Sequence, residues 1–154
     1  KRTVGGEPVA DIYVKHSALT GIDVPADIAP SMIDEFPVLF IAAAMASGET
    51  TTCGLHELRV KESDRLSQMA KGLELLGVKL TEKEDGMVIE GSGGKPLSNG
   101  RTKPVIETAL DHRIAMSFAV AGLVTKSGLA IDDIMPVQTS FPGFQDLITA
   151  LISR

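Results

Sequence analysis

The sequence has no tryptophan, one tyrosine and five phenylalanines, so aromatics make up only 4% of its 154 residues. A core must then be built from Ala, Leu, Ile, Val and Met, and the 44% hydrophobic content supplies them. Cysteine is nearly missing too. Cys53 stands alone, which excludes an internal disulfide and suits a reducing cytoplasm. Within Thr50-Thr51-Thr52-Cys53-Gly54 it reads as a small apolar strand residue rather than a nucleophile. Positive charge is in deficit: 15 Lys and Arg face 20 Asp and Glu, a net charge of −5. No basic face stands out, so nucleic acid is not an expected partner. Long apolar runs are lacking as well. Phe36 to Ala46 is 11 residues, against the ~20 of a membrane helix, so no membrane partner is expected. The opening Lys1-Arg2-Thr3-Val4-Gly5-Gly6-Glu7 has neither a Met nor an apolar leader. We read the chain as a cytoplasmic piece of a longer one.

What is present concentrates in one run, Glu57-Leu58-Arg59-Val60-Lys61-Glu62-Ser63-Asp64-Arg65-Leu66. Lys61 to Arg65 holds two bases, two acids and a hydroxyl, and Leu66, Met69, Ala70, Leu73 and Leu76 follow at helical spacing. The charges therefore sit where a helix begins, beside unpaired N–H groups and the positive end of the helix dipole. Lys61 and Arg65 there favour an anion, and Glu62 adds a proton carrier. Taken alone, the run also reads as a solvated cap with Ser63 at its head.

Four helix starts follow from capping and periodicity. The first comes after Pro30-Ser31-Met32-Ile33-Asp34 and runs to about Ser47, and the second spans Ser63 to Gly77. The third follows Leu110-Asp111-His112-Arg113 and runs to about Val124; the fourth begins at Ser140-Phe141-Pro142, with Pro142 in its first turn. Asp34 to Ser63 and Asp111 to Ser140 are both 29 residues, and the pairs lie 77 apart. Thr50 to Leu55 and Leu129 to Ile134 are strand candidates between them, so helix, strand, helix occurs twice, with parallel crossovers. Further strands are expected at 10–15 and in a hairpin of 78–82 with 87–90, and a surface loop at 91–103. Phe36 to Ala46 and Ile114 to Val124 have no polar face, which predicts helices buried on all sides with sheets outside.

Three runs, Arg59-Val60-Lys61-Glu62-Ser63-Asp64-Arg65-Leu66, Leu110-Asp111-His112-Arg113-Ile114-Ala115-Met116 and Thr139-Ser140-Phe141-Pro142, together with Asp34 heading an Ala-rich helix, occur in the order of one family. The chain resembles the C-terminal portion of the 5-enolpyruvylshikimate-3-phosphate synthases. The resemblance implies an inside-out α/β fold of the enolpyruvyltransferase type, with about two repeats (9–90 and 91–154) of one globular domain covering residues 1–154. It also implies a missing N-terminal globe as the chain's partner. The implied reaction transfers the enolpyruvyl group of phosphoenolpyruvate to the 5-hydroxyl of shikimate 3-phosphate and releases phosphate, with no cofactor and no metal. Residue by residue, Asp34 and Glu62 match catalytic carboxylates. Asp34, Lys61, Arg65, His112 and Arg113 match substrate-binding positions, with Arg65 and Arg113 on phosphoenolpyruvate. Thr139 stands where many members carry a lysine, a form that some members share.

The chemistry suits the residue types. A methylene carbon must gain a proton while a hydroxyl loses one, and the moves then reverse, which two carboxyls in different environments can divide. Arginine's planar fork matches carboxylate and phosphate. Local readings stand beside these: Asp34 as an N-cap, Asp111 as the cap of the third helix, His112 as a structural histidine. Arg113 at a helix start opposes the dipole, a placement that points to a site. Two alternatives to the synthase reading are a non-catalytic anion-binding module and a UDP-N-acetylglucosamine enolpyruvyltransferase. The chain alone is expected to be inactive, because the family's site lies between two globes.

Overall fold

The computed structural model describes residues 2–100 and 103–153. The chain opens in a hairpin of β1 (Arg2–Val4) and β2 (Glu7–Val9) around Gly5 and Gly6, both at positive φ. Adjacent glycines suit such a tight turn, a signal that the sequence reading passed over. The strand expected at 10–15 does not form. Ile12, Tyr13 and Val14 are 85%, 89% and 84% exposed; alternation gives a strand pattern but no neighbour to pair with.

Regular packing begins where residues 19–24 run parallel to 47–51, with Gly21 N–H donating to Ser47 O at 2.8 Å and Thr51 N–H to Ile22 O at 3.0 Å. The crossover is helical from Ala26 to Met45. It contains α1 (Ala29–Met32), a 3-10 turn at Ile33–Glu35 and α2 (Phe36–Met45). Then come β3 (Glu49–Thr52), a 3-10 segment at His56–Val60, α3 (Arg65–Leu75), and the hairpin β4 (Lys79–Lys83) and β5 (Gly86–Glu90). The second half contains β6 (Val105–Ile106), α4 (His112–Gly122), β7 (Ala130–Ile131), α5 (Met135–Ser140) and α6 (Phe144–Ile152). β6 pairs in parallel with β7, and Leu97 bridges Thr125 in parallel, so α4 is a crossover like α2. Leu97 is only 4% exposed, so the expected 91–103 surface loop carries a core residue; Arg101 and Thr102 lie outside the described residues.

Helices α2, α3 and α4 meet in the middle. Phe36 and Phe40 of α2, Leu66, Met69 and Leu73 of α3, and Ile114 and Phe118 of α4 have no exposure. Each such side chain contributes roughly 1.5–3 kcal/mol on burial. The antiparallel sheet β3-β5-β4 lies against them through Met87 and Ile89, while most of β4 faces out. Within it Thr52 is buried, and its hydroxyl donates to Met87 O at 3.2 Å and accepts from Met87 N–H at 2.9 Å, leaving no orphan polar group. A smaller cluster of Ala115, Val137 and Phe144 joins α4, α5 and α6.

Two expectations are corrected. Helix α2 is not covered on every side: Val38 is 40% exposed, and Leu39, Ala42 and Met45 are half-buried. Apolarity measures what a helix can bury, and this chain packs only one side of it. The fourth helix does not begin at Ser140. Pro136 opens α5, which ends there; Phe141 leaves the helical region, Gly143 turns left-handed at φ 82°, and α6 starts at Phe144. Pro142 pushes Phe141 out of the helical conformation, so it ends one helix rather than starting the next.

The stretch Ala26–Met45 is long and apolar enough to cross a membrane, which the 11-residue reading did not register. Asp34 and Glu35 in its middle carry ion pairs to Arg65 and Arg113 in the first turns of α3 and α4, and Phe36, Phe40 and Ala44 belong to the core. These are the features of a helix with one face packed into a protein core.

Candidate active site

Three chain segments converge at one end of the helical core. The 3-10 turn Ile33–Glu35 carries Asp34, the loop between Val60 and Arg65 carries Lys61 and Glu62, and the first turn of α4 carries His112 and Arg113. Helices α3 and α4 both start on aspartate caps. Asp64 accepts from Ser67 N–H at 3.0 Å, and Asp111 from Arg113 N–H at 2.9 Å. The α3 cap is thus Asp64, one residue past the Ser63 expected from sequence. Asp34 caps nothing, because its side chain is committed elsewhere.

Arg65 is the hub. Its Nε donates to Asp111 Oδ2 at 2.8 Å, Nη1 to Asp34 Oδ1 at 2.9 Å and Nη2 to Glu62 Oε2 at 2.5 Å. The guanidinium is 2% exposed and Asp111 not at all, and Ser63 Oγ donates to Asp111 Oδ2 at 2.9 Å. A charge buried this deeply is tolerable only when its hydrogen-bonding directions are met. Lys61 reaches Asp34 Oδ1 at 3.6 Å and also pairs with Glu57. Arg113 donates to Glu35 Oε1 at 3.0 Å and to Asp34 O at 3.3 Å. Asp34, Lys61, Glu62 and Arg65 are thus in direct contact, and Arg113 joins them through the Asp34 carbonyl. His112 forms no hydrogen bond or ion pair with the described residues.

Burial pushes the Asp34 carboxyl up, but Lys61, then Arg65 and Arg113, outweigh it and hold the group below the ordinary carboxylate value. Burial likewise opposes ionisation of Asp111, yet the bonds from Arg65 and Ser63 prevail and its pKa also falls. Glu57 leads the causes that raise Lys61. Asp34 and Asp111 are therefore fixed anions at neutral pH.

Sequence reasoning missed three partners. Asp111, expected as a cap, is also the buried counter-ion of Arg65. Glu57, at i,i+4 from Lys61, and Glu35, next to Asp34, carried visible pairing signals. Five carboxylates, Asp34, Glu35, Glu57, Glu62 and Asp111, surround three cations, Lys61, Arg65 and Arg113. The side chains of Glu35, Glu57 and Glu62 are more than half exposed. Those three can swing aside for an incoming anion, whereas Asp111 cannot. A cavity of about 220 Å³ opens beside Arg113, between Asp34, Glu35 and Ser117 on one side and Phe141 and Phe144 on the other. Among the described residues no group of three His, Cys, Asp or Glu is placed to hold a metal.

Residues 1–148 match the family model for EPSP synthase (3-phosphoshikimate 1-carboxyvinyltransferase). The chain is 63% identical over 150 residues to the 3-phosphoshikimate 1-carboxyvinyltransferase of Zymomonas mobilis, covering 97% of this chain and 33% of that protein. It is 59% identical over 151 residues to that of Sphingopyxis alaskensis, covering 98% and 33%. The structure of EPSP synthase from Acinetobacter baumannii superposes with a TM-score of 0.91 at 49% identity, over 97% of this chain and 34% of that one. The chain spans about a third of the length of the curated relatives it matches. By its sequence and its fold, this chain belongs to the EPSP synthase family.

Proposed function

We propose that this chain supplies one wall of a site that transfers the enolpyruvyl group of phosphoenolpyruvate to the 5-hydroxyl of shikimate 3-phosphate. The observation that carries this reading is the convergence of Lys61, Arg65 and Arg113 on Asp34 and Glu62 at the starts of two buried helices. In the proposed reaction the 5-hydroxyl oxygen bonds to C2 of phosphoenolpyruvate while C3 gains a proton. C3 then loses a proton, its electron pair restores the C2=C3 double bond, the bond between C2 and the phosphate ester oxygen breaks, and inorganic phosphate leaves. Asp34, ionised at neutral pH, takes the hydroxyl proton, and Glu62 serves C3. Lys61 provides a point charge for shikimate 3-phosphate. Arg113 provides a partly exposed fork for phosphoenolpyruvate, and Arg65 closes on the same anion once Glu62 moves off it. His112, whose side chain pairs with none of the described residues, offers a further substrate contact from the same helical turn.

The rest of the enzyme, including the N-terminal globe, is the proposed partner, and the 154-residue chain alone does not turn over. The lone Cys53, which lies exposed just past the end of β3 rather than buried in a strand, fits a reducing cytoplasm. Mixing the chain with the remaining part of the enzyme and both substrates, and following phosphate release, tests the reading. Turnover that Glu62→Ala and Arg65→Ala abolish is expected. Turnover on UDP-N-acetylglucosamine instead, or binding without phosphate release, overturns it.

A further inference from the structure

We propose that Arg59 is the positioning residue of the Lys61–Arg65 loop, bracing it from outside so that Lys61 and Glu62 stand at fixed distances from Asp34. The proposal rests on the functional reading above and adds a residue that touches no substrate in it. Arg59 makes contacts on both sides of a gap. Its Nη1 donates to Asp64 Oδ2 at 3.0 Å, on the cap of α3, and to Glu82 Oε1 at 2.7 Å, on β4. Its Nε donates to Glu84 O at 2.7 Å and Nη2 to Lys83 O at 2.5 Å, both at the tip of the β4–β5 hairpin.

The consequence is geometric. Arg59 and Asp64 flank Lys61, Glu62 and Ser63 in sequence, and their ion pair closes that stretch into a short ring. The ring is then fastened to a hairpin whose strands belong to the main sheet. The same tip holds the front of the segment, since Gly54 N–H donates to Asp85 Oδ2 and Leu55 N–H to Asp85 O, both at 2.8 Å. From Gly54 to Asp64 the chain is therefore moored to one turn, and the side chains of Lys61, Glu62 and Ser63 reach toward the site, with Glu57 paired to Lys61 beside them. The fork is needed because four acceptors lie in three directions, which an ammonium cannot match at once. Glu82, first among the causes, with Asp64, keeps the guanidinium charged against partial burial.

A displacement of about 1 Å in a reacting group costs up to ~100-fold in rate. In the complete enzyme, Arg59→Ala is expected to lower kcat about 10- to 100-fold and raise KM for shikimate 3-phosphate more than KM for phosphoenolpyruvate. Amide exchange at residues 61–64 should quicken while Met69 to Leu73 stay protected. Arg59→Lys should restore little. Unchanged exchange at 61–64 in Arg59→Ala, or a kcat loss no larger than the loss of folded protein, overturns the proposal. If the wild-type enzyme itself gives no turnover, the functional reading fails, and the exchange measurement still decides whether the brace exists.

Discussion

At the residue scale, Asp111 shows how one side chain serves fold and site together. It caps α4 and neutralises the buried Arg65. Asp111→Ala leaves a guanidinium without its buried counter-ion, and such losses cost ~3–5 kcal/mol; urea unfolding should report that range. The pH dependence has a defined sign. Asp34 and Asp111 have folded pKa values below the ordinary one, so their stabilisation is complete above the unfolded carboxylate value of about 3.9 and is lost as pH falls through the lower folded value. Urea midpoints between pH 5 and pH 2 should fall steeply in the wild type and less so in Asp111→Asn. Glu35 works in the opposite direction. Its exposed pair with Arg113 competes with an incoming carboxylate or phosphate. Exposed pairs are worth ~0.2–1 kcal/mol, so Glu35→Gln in the complete enzyme should lower KM for phosphoenolpyruvate by up to about fivefold, with kcat unchanged. A higher KM would make Glu35 part of the binding site rather than a stand-in anion.

Elements meet where side chains permit close approach. Gly72 in the middle of α3 faces Phe118 of α4, and a Cβ built there would lie 2.1 Å from Phe118 Cζ. Phe118 has no exposure and nowhere to go. Helix propensity favours Ala over Gly by ~1 kcal/mol, but overpacking costs ~1–3 kcal/mol, so Gly72→Ala should lower the thermal midpoint. Gly122→Ala is the control: its nearest contact would be Leu129 Cγ at 3.7 Å, and it should be neutral or stabilising. Sequence could locate α3 and α4, because Leu66, Met69, Ala70 and Leu73 keep helical spacing, Ser63 lies one residue short of the true cap Asp64, and Asp111 is the cap expected. It could also pair Asp34, Glu62, Arg65 and Arg113 through their motifs. It could not show that Gly72 is a packing residue or that Asp111 reaches Arg65 across 46 positions of chain. Those facts depend on distances between elements. The end of the chain is less legible for the converse reason: Pro136 and Pro142 both suit a first helical turn, yet Pro136 opens α5 while α5 ends before Pro142.

On the scale of the molecule, the open side of the helical core sets the chain's behaviour in solution. Val38, Ala42 and Met45 of α2, Val120 of α4 and Val124 just beyond it line a concave apolar groove of about 500 Å³, closed at one edge by residues 16–19. Beside it in sequence, Ile12, Tyr13 and Val14 are almost fully exposed. Contiguous apolar surface of this kind is what soluble monomers ordinarily cover. Two thirds of the length of the related enzymes lies outside this chain, which is ample to cover it. The isolated chain should therefore self-associate at micromolar concentration, as read by light scattering. Val38→Glu should reduce that association without unfolding the protein, since Val38 lies outside the closed core. On the proposed function, addition of the remaining part of the enzyme should suppress it together with the appearance of turnover, as expected if one docking event covers the apolar groove and completes the anion site. A wild-type chain that stays monomeric, or association that survives both Val38→Glu and the partner, would mean that the open face of α2 and α4 is stable in water as it stands and that the partner binds elsewhere.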